Sequence, residues 1–389
     1  MNPTTHRFIE PLDVLFLRGN KLFGDPGSHG ESLVPPWPSV AAGALRSLML
    51  AADGVDIAAF ALGRLQHATL GTPAAPGAFA LTGFDLARRN PAGQVETLHA
   101  LPADLLVTEA GNTDTDTDTD TNANANASPQ LTRLQPQPPA PGLASSAPLA
   151  LWPVLAQAER RKPVAGHWLT QAGWATYLKG QTPAASQLVP AKALWRLDAR
   201  IGIGLDSATR SVADGQLFTA QAVAFQPGVG FLASVRGGEP PRTGVLRFGG
   251  DGRGAALTAV QHTAPQPDWE AISRAGRCRI VLTTPGLFAK GWLPPGVHGG
   301  QGLALQGISG QLVCAAVPRA EVISGWDLAR RQPKAAERVA PTGSVYWIDR
   351  LAATPEQLRK LVGHGLWPDD HQNAARQAEG FNRFTFAAW

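Results

Sequence analysis

The residues best suited to chemistry lie in one glycine-dense run, LRFGGDGRG, from Leu246 to Gly254. Gly249, Gly250, Gly252 and Gly254 leave backbone amides uncovered, and Arg253 adds a planar cation beside them. Amides with no intervening side chain approach phosphate oxygens closely, and a guanidinium binds such oxygens in pairs. The run is a poor nucleotide loop. Leu257 stands where G-x-G-x-x-G needs its third glycine, and no Walker lysine motif occurs. The alternative reading is a tight structural turn.

Other candidates surround this one. Ser39 precedes VAAGALRSLMLAA and reads as the N-cap of a helix, whose first turn presents unpaired amides to an anion. Arg46, on the same helix, could flank a phosphate with Ser39, and Arg18 and Lys21 follow the first predicted strand. His29, within GSHGES, could serve as an acid or base in metal-independent cleavage of a phosphodiester. Such cleavage also needs a second proton-transfer group and a cationic stabiliser, and the sequence offers no convincing partner. Hydrogen bonding to a ligand, or a contact that structures the loop, are the other roles for His29. Thr209 and Arg210 sit in a polar tip, DSATRSVADGQ, that is either a projecting contact or a solvated turn. Arg330, Arg331, Lys334 and Arg338 concentrate charge beside Trp326, as a phosphate path, a subunit contact or a solvated face. Lys290 and Trp292 form a basic-aromatic pair suited to stacking a base, although Trp292 is equally suited to core packing.

Composition sets the limits. With 389 residues, 44% hydrophobic and 16% charged, the chain is long enough for two cores and too apolar to be disordered throughout. Its 42 glycines and 33 prolines predict many turns rather than long helices. No run of about 18 apolar residues predicts a transmembrane helix, and the opening MNPTTHRFIEPLD predicts no secretory signal. Cys278 and Cys314 have no zinc-type spacing and read as buried thiols of a reducing cytosol, with no metal expected. The net charge of +4 understates the basicity. Residues 109–148 hold Glu109, Asp114, Asp116, Asp118 and Asp120 against Arg133, a net of −4 that leaves +8 on the rest of the chain. That bias is compatible with a phosphate-bearing partner.

The elements that must position these residues alternate in type. FIEPLDVLFL, Phe8 to Leu17, predicts a strand that Pro11 would confine to an edge or a bulge. A helix from Ser39 to Asp53-Gly54 and strands at Phe79 to Leu86 and Glu96 to Leu106 follow, the β-α-β-β opening of a ferredoxin-like fold. Residues 109–148, with TDTDTDTDTNANANASPQ and PQPPAPGLASSAP, predict a mobile low-complexity insertion. Beyond it, Trp195 to Leu205 and Leu217 to Val235 predict strands around the tip, and further strands are expected at 255–260, 278–283 and 312–317. Thr354-Pro355-Glu356-Gln357 is a capping box with proline at N1, and FNRFTFAAW reads as a closing strand. The sum is an α+β chain of two units in tandem.

Four segments, in order, resemble the third subunit of the type III-B CRISPR (Cmr) complex, a family of the RAMP superfamily. They are FIEPLDVLFLRG with SLVPPWPSVAAGALRSLML, RIGIGLDSATRSVADGQLFTAQ, LRFGGDGRGA with Asp251 in the family's Glu place, and ISGWDLARRQPKAAERVAPTGSVYWID. One departure is Gly380-Phe381-Asn382-Arg383 where the family has a Gly-x-Gly turn; Asn tolerates the left-handed backbone better than most residues. The resemblance implies two tandem ferredoxin-like (RRM-like) RAMP domains, 1–262 and 263–389, with a thumb-like hairpin at about 199–235. It implies a non-catalytic, cytoplasmic subunit of antiviral defence with no cofactor. Its partners would be the 5′ handle of the CRISPR RNA, the large polymerase-like subunit and the backbone RAMP subunit, with target RNA met only indirectly and no membrane. Arg18, Lys21, His29, Ser39, Arg46, Thr209, Arg210, Gly249, Gly250, Gly252, Arg253, Gly254, Lys290, Lys334 and Arg338 become candidates for the RNA. Trp326, Arg330 and Arg331 become candidates for a subunit contact. The runner-up is a metal-independent RAMP endoribonuclease that processes guide RNA with His29.

Overall fold

The computed structural model describes residues 3–19, 29–30, 32–109, 129–147, 149–156, 162–206, 208–299, 301–327, 332–370 and 373–389. Two large antiparallel sheets, one from each half, dominate the fold, with smaller sheets beside them. The first half contributes β1 (Thr5–Pro11), α1 (Pro38–Ala52), β2 (Ala80–Arg89), β3 (Val95–Ala100), β4 (His167–Thr170), α2 (Gln171–Leu178) and β5 (Leu188–Pro190). It continues with β6 (Trp195–Leu205), β7 (Val212–Phe225), β8 (Val229–Arg236), β9 (Thr243–Arg247) and β10 (Gly254–Val260). Its eight-stranded sheet runs β5-β4-β3-β2-β8-β1-β10-β9. β1 is therefore central, not an edge; Pro11 is tolerated because it is the strand's last residue.

Helix α1 forms because Ala41, Ala42, Leu45 and Met49 recur at helical spacing and bury one stripe against the sheet. Its start corrects the sequence reading. Pro38 occupies N1, Trp37 is the N-cap without a side-chain bond, and Ser39 lies inside the helix. Proline suits N1 because its missing N–H would have had no partner there. Below the helix Phe84, Phe231 and Phe248 stack, with ring centroids 5.3 Å apart for Phe84–Phe231 and Phe231–Phe248.

The second half supplies α3 (Trp269–Ala275), β11 (Cys278–Leu282), β12 (Val297–His298), β13 (Gly302–Leu305), β14 (Ile308–Ala316), β15 (Val345–Ala352), α4 (Pro355–His364), α5 (Ala374–Ala378) and β16 (Phe384–Ala387). Its six-stranded sheet runs β12-β13-β14-β15-β11-β16. The predicted capping box opens α4: Gln357 N–H donates to Thr354 Oγ1 at 3.2 Å, and Thr354 N–H to Gln357 Oε1 at 2.8 Å. In each sheet four strands share one order, second-third-first-fourth: β2-β8-β1-β10 and β14-β15-β11-β16, all neighbours antiparallel. That is the order of a split β-α-β arrangement. The first half has helices between its first two such strands, and the second half between its last two.

Three further readings are corrected. The predicted strand Glu96 to Leu106 is two strands, β3 and Leu105–Glu109. The predicted strand Leu217 to Val235 is also two, so the hairpin is β6 with β7, and β8 belongs to the main sheet. Part of the predicted mobile insertion, residues 129–137, forms strands. Pro129–Arg133 pairs with Leu105–Glu109, and Gln135–Gln137 with Trp152–Val154. Leu131 and Leu134 pack on a core cluster, and residues 110–128 lie outside the described set. Among the described residues no helix is long and apolar enough to cross a membrane.

The halves meet through a shared core in which Leu105, Trp174 and Tyr177 pack with Val281, Val345 and Trp347. Inside it Arg279, 1% exposed, pairs with fully buried Asp104 at 2.5 Å. Tyr177 Oη donates to the other Asp104 oxygen at 2.8 Å, and Arg279 also donates to the carbonyls of Tyr177 and Ala388. Buried charge is tolerated here because every member is bonded.

Candidate functional site

The glycine run closes the β9–β10 hairpin. Gly249, Asp251 and Gly252 have φ of 77°, 56° and 65°. The left-handed backbone tolerates glycine, and Asp or Asn better than other residues. A Cβ on Gly249 would sit 2.8 Å from the Phe16 carbonyl, so this glycine also permits a close approach. The turn rests on residues 12–18, which leave β1 as an irregular strip. Gly250 N–H donates to Phe16 O at 2.8 Å, and Leu12 N–H to Gly254 O at 3.1 Å.

Two ion pairs cross between strip and turn. Arg18 reaches Asp251 at 2.9 Å, and Arg253 reaches Asp13 at 2.9 Å. The Arg253 guanidinium lies over the Phe16 ring, 5.3 Å from its centroid. Its Nε is buried and has no partner among the described residues. The amides of Asp251 and Gly252 take no partner among the described residues either. On its other side the strip meets the hairpin: Leu15 and Val223 exchange backbone bonds of 2.9 and 2.8 Å. Leu33 N–H donates to Leu17 O, Ser32 Oγ donates to Gln221 O at 2.6 Å, and His29–Gly30 pairs in parallel with Thr219–Ala220.

The fold thus joins Gly249, Gly250, Gly252, Arg253, Gly254, Arg18 and the backbone of His29 in one continuous surface. Thr209 and Arg210 stand apart at the hairpin tip, beyond the far end of β6, an 11-residue strand that at ~3.3 Å per residue is roughly 33 Å long. There Thr209 N–H and Oγ1 hold Asp206 at 2.8 and 3.0 Å, and these bonds keep that carboxyl below its ordinary range. Arg210 is exposed with φ 53°. Between base and tip the hairpin leaves Ile201 75% and Leu205 60% exposed.

The remaining candidates do not join this surface. Ser39 and Arg46 form no hydrogen bond or ion pair with the turn among the described residues. Arg46 lies over Phe79 at 5.2 Å; burial lowers its pKa, and Glu379 partly offsets that. Lys290 is exposed in the second half and donates to Val297 O at 3.3 Å, while Trp292 packs on the second core. Lys334 pairs with Glu379 at 3.1 Å, in a network where Arg376 binds Glu379 and Glu337. Arg338 is exposed on the short strand Glu337–Val339. The Trp326 backbone pairs with Pro333. Lys21, Arg330 and Arg331 lie outside the described residues. Asp13 escaped the sequence reading, since its partner Arg253 lies 240 residues away and no local pattern links the two. Burial pushes the Cys314 thiol to about 12 and raises Cys278 further, so neither is a nucleophile at neutral pH. No metal-holding group of three or more His, Cys, Asp or Glu occurs among the described residues.

The fold has a solved counterpart. A chain of "the Type III-B Cmr-beta bound to cognate target RNA and AMPPnP, state 1" aligns with a TM-score of 0.51 over 97% of this chain and 95% of that one, at 14% identity. A second, the Type III-B Cmr-beta bound to cognate target RNA, aligns at 0.48 over 97% and 96%, also at 14% identity. At that identity the likeness is one of fold. No curated protein matches the chain. The family model of the CRISPR-associated protein (Cas_Cmr3) matches residues 7–389, and the chain belongs to this family of Cmr subunits.

Proposed function

We propose that this Cmr subunit holds the 5′ handle of the CRISPR RNA in a type III-B effector and bridges the large polymerase-like subunit to the backbone RAMP subunit, without catalysing a reaction. Its two sheets are read as tandem ferredoxin-like RAMP domains, on the strength of their common strand order. The observation that carries the reading is the surface of glycine turn, strip 12–18 and hairpin base. Single-stranded RNA is held by phosphates and splayed bases. Two turn amides without partners among the described residues and two arginines on one surface suit the phosphates. A projecting hairpin with exposed Ile201 and Leu205 suits a subunit or an unstacked base. Target RNA is then met only through the guide.

Two measurements test this. With photoreactive uridines in the handle of a reconstituted effector, cross-links are expected in peptides covering 12–18 and 249–254; cross-links confined to other subunits would contradict the reading. For the non-catalytic part, the purified protein is incubated with labelled repeat RNA in EDTA. No cleavage is expected, and sequence-specific cleavage lost in His29→Ala would replace the binding role with the endoribonuclease.

A further inference from the structure

The two ion pairs between strip and turn cross each other. Strip and turn each contribute one arginine and one aspartate, and each arginine takes the other segment's acid. All four side chains remain open to water, at 46% and 48% for Arg18 and Asp251 and 29% and 62% for Arg253 and Asp13. Exposed pairs of this kind add little to stability, so holding the hairpin in place does not account for them. The backbone already does that, through Gly250 to Phe16 and Leu12 to Gly254.

Asp251 makes the point more sharply. It occupies a left-handed position between two other left-handed residues, Gly249 and Gly252. Glycine would fit that conformation with less strain, so the carboxylate is present for its charge. Arg253 is the complementary case. Its guanidinium lies over the Phe16 ring and its buried Nε has no acceptor among the described residues, so the group is oriented but only part-satisfied by Asp13.

We propose that Asp13 and Asp251 are phosphate placeholders: they hold the Arg253 and Arg18 guanidiniums in place in the RNA-free subunit and give way when RNA phosphodiesters arrive. This rests on the RNA-binding reading above and adds a mechanism to it. A carboxylate and a phosphate offer the same pair of oxygens to a guanidinium. The exchange forms no covalent bond and moves no proton. In the free subunit the arginines stay neutralised, which lowers their attraction for nonspecific polyanions. A correctly seated handle replaces the two ion pairs with bonds from the exposed guanidinium nitrogens and the amides of Asp251 and Gly252 together.

The test is a mutant cycle on the reconstituted effector, titrated with a fluorescently labelled RNA carrying the 5′ handle at low salt. Asp13→Asn and Asp251→Asn are each expected to tighten binding about three- to fivefold, the range that loss of an exposed pair allows. In an Arg253→Ala background Asp13→Asn is expected to change nothing, and likewise Asp251→Asn in Arg18→Ala. Asparagine tolerates the backbone at 251, and unchanged thermal melts confirm the fold of each variant. Weaker or unaltered binding by the asparagine variants overturns the proposal, because the acids would then orient the arginines rather than stand in for phosphate. A gain that persists in the arginine-free backgrounds also overturns it, as plain charge repulsion. If Arg18→Ala and Arg253→Ala themselves leave affinity intact, the RNA-site reading has failed and the placeholders with it.

Discussion

Two Arg–Asp constellations in this molecule use the same functional groups under opposite conditions. Arg279 and Asp104 are buried between the halves, each fully bonded and backed by Tyr177. Arg18–Asp251 and Arg253–Asp13 lie in water at the glycine turn. Burial decides what each can do. A desolvated pair cannot be opened without leaving an uncompensated charge, so it fixes one arrangement of the halves. A solvated pair opens at little cost, so its arginines remain available to another anion.

That contrast can be broken first at the buried end. Arg279→Ala is expected to destabilise the protein by about 3–5 kcal/mol, because Asp104 would stay buried with only the Tyr177 hydroxyl and the more distant Arg133, at 4.0 Å, to offset its charge; urea unfolding of the isolated chain measures it. Replacing both partners by apolar residues should recover much of the loss. A loss below about 1 kcal/mol for Arg279→Ala would show that water reaches the pair.

Asn382→Ala comes next, at about 2–3 kcal/mol by the same measurement. The side chain bonds Leu287 N at 2.5 Å, Leu287 O at 3.3 Å and Leu366 O at 2.9 Å, and the residue sits at φ 58°. The variant loses these bonds and strains a left-handed residue. Asn382→Gly should recover only the backbone share.

Acid supplies a smaller effect. His6 bonds Ser234 Oγ at 2.9 Å and meets His262 edge-on at 5.5 Å. Burial, then the neighbouring His262 and Arg7, lowers the pKa of His6; burial lowers that of His262, with Asp85 and the Val95 backbone opposing and His99 adding. A depressed imidazole means the unfolded chain binds more protons, so this stability is complete above the ordinary pKa of 6.5 and lost as pH falls below it. His6→Phe should flatten the stability profile as pH falls below about 6.5; an unchanged profile would exclude the pair as its source. The smallest change is expected at the exposed end, where Arg253→Ala and Asp13→Ala should each shift stability by less than about 1 kcal/mol.

The sequence disclosed what local chemistry controls. The Thr354 capping box, the β6 strand to the residue and the left-handed tolerance of Asn382 all follow from neighbouring residues, and the structure bears each out. Ser39 was misread because serine and proline compete for the helix start, and Pro38 prevails. Arg133 looked like a stray charge in an acidic loop, yet it donates to Gly180 O and lies over Tyr177. The Asp104–Arg279 pair spans 175 residues, so no local pattern could announce it. The same limit hid Asp13, whose partner Arg253 is 240 residues away. The glycine turn itself was legible; what its arginines hold in the absence of a ligand was not.

The central claim is that the turn and strip grip RNA by its phosphates. It is tested most directly by titrating handle RNA against the effector containing the Arg18→Ala/Arg253→Ala pair across a range of salt. Without the two arginine–phosphate bonds, affinity at low salt should fall at least about tenfold, and the slope of log K against log salt should flatten by roughly 1.4. An affinity and slope equal to wild type, in a complex that assembles normally, would contradict the account.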